Sequence, residues 1–228
     1  KGFPPEKLYV IYNSLNYPEQ KSIRDNITDE ECTRLKKELF SQNKLPVLIF
    51  VGRLTPQKKL DMLLKAGHFL HGQGLKVNIL FVGGGKEEKM LKNLAIELGL
   101  AERVKFFGPC YEEEKLAKLI MASDICVAPG EVGLTAMHSL AYGTPVITHN
   151  DFSRQMPEYE AIQEGISGLF FQQGDSEDLG KKIMAWLSSN KNKAEIREQC
   201  IEVIESHYNP EYQCQIINKA VLGYPASA

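Results

Sequence analysis

Five short apolar runs separated by stretches of helical periodicity limit what this chain can fold into. They are "PVLIFVG" (46–52), "VNILFVGG" (77–84), "VKFFG" (104–108), "DICVAPG" (124–130) and "TPVIT" (144–148). Such alternation is the pattern of βα units, whose strands pair in parallel and whose helices form the crossovers. The runs are apolar at successive positions, as expected of strands covered by helices on both faces. A weaker strand is read at "LYVIYN" (8–13) and another at "GLFF" (168–171). Between strands, Leu60, Leu63, Leu64 and Gly67 fall at helical spacing, as do Met90, Leu91, Leu94 and Leu98. From Asp175 the pattern is helical to the C-terminus. The expected fold class is α/β: one domain over 1–228 with a doubly wound, Rossmann-like parallel sheet. Residues 1–15 are read as a linker and first strand, and 209–228 as a C-terminal helix.

The composition agrees with a globular domain: 228 residues, 43% hydrophobic and 25% charged, are enough for a sizeable core. A net charge of −2 gives no global field that would attract nucleic acid or an acidic membrane surface. No apolar run approaches the ~18 residues of a membrane span, and no signal peptide is read at the start. The cysteines Cys32, Cys110, Cys126, Cys200 and Cys214 are scattered and never spaced C-x-x-C. That argues against a disulfide framework or zinc cluster and for a reducing, cytoplasmic setting. Because the chain opens on Lys1, it reads as part of a longer protein.

Four consecutive strands end in glycine, at Gly52, Gly83, Gly108 and, after Pro129, Gly130. Ligands of open α/β sheets sit beyond the carboxyl ends of the strands, so the set lines the expected crevice, although a tight turn alone would explain any one of them. Several motifs fail. "GGGKEE" (83–88) has Glu88 where a dinucleotide loop needs its third glycine, and neither a phosphate loop of the ATPase kind nor a nucleophile elbow is present. His68 and His71 lie one turn apart without an obvious third metal ligand, and "DSED" (175–178) reads as a helix cap.

Two helix starts carry the chemistry. "VGRLTPQKKL" (51–60) gathers Arg53, Lys58 and Lys59 where Thr55 reads as N-cap and Pro56 as the first helical residue. Cations in a first turn oppose the helix dipole, so the pattern calls for an anion. In "GEVGLTAMHSLAYGTPVI" (130–147), Gly133, Leu134 and Thr135 are expected to present free N–H groups. Glu131, Thr135 and His138 are expected on one polar side.

In order and spacing, "VGRLTPQKKLDMLLKA", "VGGG", "VKFFG", "SDICVAPGEVGLTAMHSLAYGTPVIT" and "EGISGLFF" resemble the C-terminal donor-binding domain of glycosyltransferase family 4, retaining enzymes of the GT-B fold. The resemblance runs from about Leu8 to Leu187. It implies a nucleotide-diphosphate sugar as donor, no metal or other cofactor, and transfer of a hexose-type sugar to a glycan or lipid-linked glycan. The acceptor would be held by an N-terminal domain outside this chain, with the whole protein at the membrane surface. It implies Arg53 and Lys58 as the diphosphate-binding pair, Glu131 as a third catalytic candidate near the transferred sugar, and Gly52, Gly83, Gly84, Gly133, Leu134, Thr135 and His138 as donor-binding. Three positions depart from the family pattern. Lys59 stands in place of a glycine, His138 in place of the second glutamate, and Gly130 in the first glutamate's slot, with Glu131 displaced by one. These departures leave two rivals to a transferase: a catalytically silent nucleotide-sugar-binding module, or another GT-B enzyme such as an epimerase or phosphorylase.

Overall fold

The computed structural model describes residues 4, 8–189 and 191–222. Two helices, α1 (Tyr17–Asn26) and α2 (Asp29–Leu39), precede the first strand. They are followed by β1 (Val47–Val51), α3 (Leu60–Gly72), β2 (Asn78–Val82), α4 (Glu88–Glu97), β3 (Val104–Gly108) and α5 (Glu113–Met121). Then come β4 (Ile125–Ala128), α6 (Leu134–Ala141), β5 (Val146–His149), β6 (Gly168–Phe171), α7 (Ser176–Leu187), α8 (Lys193–His207) and α9 (Pro210–Leu222). The six strands form one parallel sheet in the order β3-β2-β1-β4-β5-β6. This is the doubly wound order, with its switch point between β1 and β4.

Alternate strand residues feed two cores. Leu48, Phe50, Ile79, Phe81, Ile125 and Val127 pack with α3, α4 and α7 on one face. Ile49, Leu80, Val82, Cys126 and Ala128 pack with α1, α2, α5, α6 and α8 on the other. Each fully buried Leu or Phe contributes roughly 1.5–3 kcal/mol of transfer free energy, so both faces hold the sheet between the helix layers.

All five apolar runs and "GLFF" become strands, whereas 8–13 does not. Leu8, Tyr9, Val10 and Ile11 are exposed. Tyr12 instead stacks on Tyr208, 4.7 Å between centroids, and its carbonyl accepts from Gln213 Nε2 at 2.6 Å. Aromatic packing of Tyr12 against Tyr208 and Tyr212 overrides strand propensity here. The second correction concerns the helix expected from Pro56. Residues Pro56–Lys58 form a single 3-10 turn, Lys59 adopts a left-handed conformation (φ 50°, ψ 40°), and α3 begins only at Leu60. Lys58 is therefore not in the first turn of α3, and Thr55 makes no side-chain cap. Asp175 does cap α7, accepting from the amides of Glu177 and Asp178.

Candidate active site

The switch point brings the β1–α3 and β4–α6 connections together, and glycine makes the approach possible. A Cβ on Gly83 would lie 1.9 Å from the Gly52 carbonyl, and one on Gly130 would lie 2.0 Å from that of Gln57. The Gly130 amide donates to the Lys58 carbonyl at 3.0 Å, which ties the 3-10 turn to the exit of β4. The amides of Gly52 and Gly83 are engaged with Val82 and Gly108 at 2.9 and 2.8 Å, and Gly84 accepts from Leu54. These three glycines shape the crevice floor. Gly52 and Gly83 offer it no free donor.

Arg53 is exposed and Lys58 half-buried, and among the described residues neither contacts a carboxylate within ion-pair distance. Lys58 Nζ donates to the main-chain carbonyl of Glu131 at 2.7 Å. Burial pushes the Lys58 ammonium below the ordinary lysine range; the Glu131 charge opposes that shift and nearby Arg53 adds to it. Two cations that repel each other, with Glu131 and Glu158 acting on Lys58 only from beyond ion-pair distance among the described residues, leave positive charge partly unmet.

Across from them, α6 starts at Leu134 with Gly133 as a cap that has no side-chain partner. The amides of Gly133, Leu134 and Thr135 find no acceptor among the described residues, and a Cβ on Gly133 would meet nothing within 4 Å. An open helix N-terminus facing two cations favours an anion by geometry and by dipole. Thr135 is anchored by its hydroxyl, which donates to the Val51 carbonyl at 2.8 Å. Glu131 lies before the helix, so the expected common face with Thr135 and His138 does not form: only the latter two share α6.

His138 turns toward a residue that the sequence did not single out. Its Nε2 lies 3.4 Å from Oε1 of Glu113, at the start of α5. The same carboxylate oxygen accepts from Tyr142 Oη at 2.6 Å and from Gln20 Nε2 at 3.0 Å. His138 beside it, with the tyrosine and glutamine, holds the Glu113 carboxyl down at about 2 despite partial burial. In sequence Glu113 sits within "EEE" (112–114), which reads as an ordinary acidic first turn. Only the tertiary arrangement of α1, α5 and α6 marks it out.

A parallel sheet in this strand order, with a cationic turn and an open helix N-terminus meeting at its switch point, defines a Rossmann-like domain with an anion-favouring corner. Residues 32–205 match the model of the glycosyl transferases group 1 family, and the chain belongs to that family. It is 32% identical over 148 residues to the glycosyltransferase MJ1607 of Methanocaldococcus jannaschii, covering 63% of this chain and 36% of that protein. It is 39% identical over 109 residues to a D-inositol 3-phosphate glycosyltransferase of Mycobacteroides abscessus, covering 44% of this chain and 24% of the relative. The chain thus spans about a third of the length of the curated relatives it matches. Among solved structures, HepE of Anabaena in complex with UDP superposes with a TM-score of 0.77 at 21% identity, over 94% of this chain and 57% of that one. This likeness confirms the fold.

Proposed function

We propose that this chain is the donor-binding half of a retaining GT-B glycosyltransferase of family 4, which moves a hexose-type sugar from a nucleoside diphosphate to an acceptor. The observation that carries it is the pairing of Arg53 and Lys58, neither in an ion pair with a carboxylate among the described residues, with the amides of Gly133, Leu134 and Thr135, which are unbonded among the same residues. The diphosphate is the anion this arrangement is built for. When the bond between the anomeric carbon and the phosphate oxygen breaks, the electron pair stays on the diphosphate, and preorganised positive groups there lower the barrier. No metal is needed for that neutralisation. Gly52, Gly83 and Gly84 shape the floor, and Glu131 stands beside the transferred sugar. His138, with Glu113 accepting at Nε2, meets a ribose hydroxyl. The HepE complex with UDP supports a nucleoside diphosphate as the ligand class.

Acceptor binding and full turnover belong to an N-terminal domain beyond this chain, so the 228 residues alone bind donor without transferring it. Exposed apolar side chains at Leu8, Val10 and Ile11, and at Ile217, Val221 and Leu222 on α9, give that domain a surface to pack on. Residues 223–228, the end of the expected C-terminal helix, lie outside the described residues. A silent binding module is the second reading, favoured by the Gly130 and His138 replacements. Calorimetric titration with nucleoside diphosphates and their sugars tests the donor site, and His138→Ala is expected to weaken nucleotide affinity. Acceptor-dependent product from the full-length protein separates enzyme from binder. Absence of any nucleoside-diphosphate binding would end both readings.

A further inference from the structure

The clamp of Arg53, Lys58 and the α6 amides accounts for a diphosphate and leaves open how the ribose beside it is held. His138 lies one turn behind those amides, three residues beyond Thr135 and four beyond Leu134, so it shares their side of α6. A turn is about 5.4 Å, which keeps the imidazole within reach of the sugar next to a diphosphate seated on them. What the ring offers there depends on which nitrogen carries the proton. An imidazole nitrogen donates when protonated and accepts when bare.

Glu113 decides that. Its Oε1 lies 3.4 Å from His138 Nε2 and also accepts from Tyr142 Oη at 2.6 Å and from Gln20 Nε2 at 3.0 Å. A carboxyl held at about 2 has no proton of its own to give, and the hydroxyl and amide donors on the same oxygen agree with its role as acceptor. Nε2 must therefore be the protonated nitrogen, because a bare Nε2 would set lone pair against lone pair. That leaves Nδ1 bare in the neutral ring, and among the described residues no hydrogen bond engages it.

The surrounding network fixes the pair without competing for it. Buried Arg24 donates to the Ala141 carbonyl at the end of α6 and to Tyr17 Oη, both at 3.0 Å, and Tyr17 donates to Glu205 at 2.7 Å. Among the described residues no lysine or arginine lies within ion-pair distance of Glu113; His138 alone does. An arginine there would have matched the carboxylate charge without any tautomer to set. A histidine is oriented by it.

We propose that Glu113 is a positioning residue for ribose binding: by accepting at Nε2 it holds the proton there and turns Nδ1 of His138 into an acceptor for a ribose hydroxyl. Histidine and glutamate together then present the lone pair that a glutamate at this position of α6 would present by itself. The proposal rests on the donor reading above and adds a residue that never touches the ligand.

The test titrates this chain with uridine, guanosine and adenosine diphosphates in a calorimeter and compares the tightest binder with its 2′,3′-dideoxy counterpart. The ribose form should bind about tenfold more tightly, the effect of one or two hydrogen bonds. Nitrogen NMR of the ring at alkaline pH should find the proton on Nε2, and added diphosphate should shift the Nδ1 signal as that nitrogen accepts. Glu113→Ala and His138→Ala should each bring the ribose-to-dideoxy ratio close to one, and the two together should lower it no further. His138→Glu alone opposes two carboxylates, whereas His138→Glu combined with Glu113→Gln, whose amide donates where the imidazole did, should restore the ratio. A Glu113 that only held helices together would lower both affinities equally. A ratio near one in the unaltered chain, a proton on Nδ1 in the complex, or a ratio that Glu113→Ala leaves intact overturns the proposal and spares the donor reading. If none of the three diphosphates binds, the donor reading falls and this proposal falls with it.

Discussion

The two ends of the sheet treat charge in opposite ways. At the amino end, Asp124 sits where β4 begins and accepts from the Val47 amide at 2.8 Å, from Lys36 at 3.2 Å and from Lys193 at 2.9 Å. The cavity beside it is small, about 160 Å³. At the carboxyl end, Lys58 reaches only a backbone carbonyl, Arg53 reaches no carboxylate among the described residues, and the cavity is about 700 Å³. Charges paired within the chain hold elements together; charges left unpaired around open amides wait for a ligand.

If that contrast is right, the largest stability effect belongs to the amino end. Asp124→Asn leaves two lysines facing a neutral amide and should destabilise the fold by about 2–3 kcal/mol in denaturant titrations, with nucleoside-diphosphate affinity unchanged once folded. Burial alone would raise the Asp124 carboxyl, but Lys193, Lys36 and the Val47 amide hold it below the ordinary aspartate value of 3.8. Its stabilisation is thus complete above the unfolded value and lost as pH falls through the native one. A loss under ~0.5 kcal/mol would make Asp124 an ordinary surface partner and remove one side of the comparison.

The carboxyl end should respond in binding instead. Arg53→Ala and Lys58→Ala each remove a charged hydrogen bond to the diphosphate, expected to contribute about 1.5–3 kcal/mol, or roughly tenfold to a hundredfold in affinity. Nucleoside binding and thermal stability should barely change. Equal losses for nucleoside and nucleoside diphosphate in calorimetry would show instead that these residues hold the fold.

Glu113 bridges the two categories, since it pins α1, α5 and α6 together and pairs with His138, the residue proposed to meet the ribose. Its carboxyl is held at about 2, against 4.5 when unperturbed, chiefly by His138. A depressed carboxylate stabilises above its unfolded value and ceases to as pH falls through the native one. Glu113→Gln should therefore destabilise by on the order of 2 kcal/mol at pH 6 and much less near pH 2. A deficit that persists unchanged at low pH would assign the loss to packing.

Much of the carboxyl end could be read in the chain, and little of the network behind it. Apolar runs bounded by glycine give strands by local pattern, so β1 to β6 were legible, as was the start of α6 near Gly133. Helices α1 and α2 were not, because α1 is polar on nearly every side. The Thr28–Glu31 capping box in "TDEE" was the available signal for α2. The Glu113–His138 contact joins residues from different βα units, and no spacing rule reports it. Strand propensity misled at 8–13, where the partner is the α8–α9 aromatic cluster.

The smallest expected effect tests the turn that separates donor from cavity. Lys59 is the one non-glycine residue with positive φ among the described residues, and a side chain in that conformation costs roughly 1–2 kcal/mol. The turn tolerates it because Lys58, just before it, is tied twice to the exit of β4: its carbonyl accepts from the Gly130 amide at 3.0 Å, and its Nζ donates to the Glu131 carbonyl at 2.7 Å. Lys59→Gly relieves the strain but loosens the unfolded chain, so the net gain should be about 0.5–1 kcal/mol in denaturant titrations. Nucleoside-diphosphate affinity should stay the same, because Lys58 is positioned by backbone bonds that glycine keeps. A gain in stability accompanied by weaker diphosphate binding would mean that Lys59 itself reaches the anion, and the division between clamp and cavity would have to move by one residue.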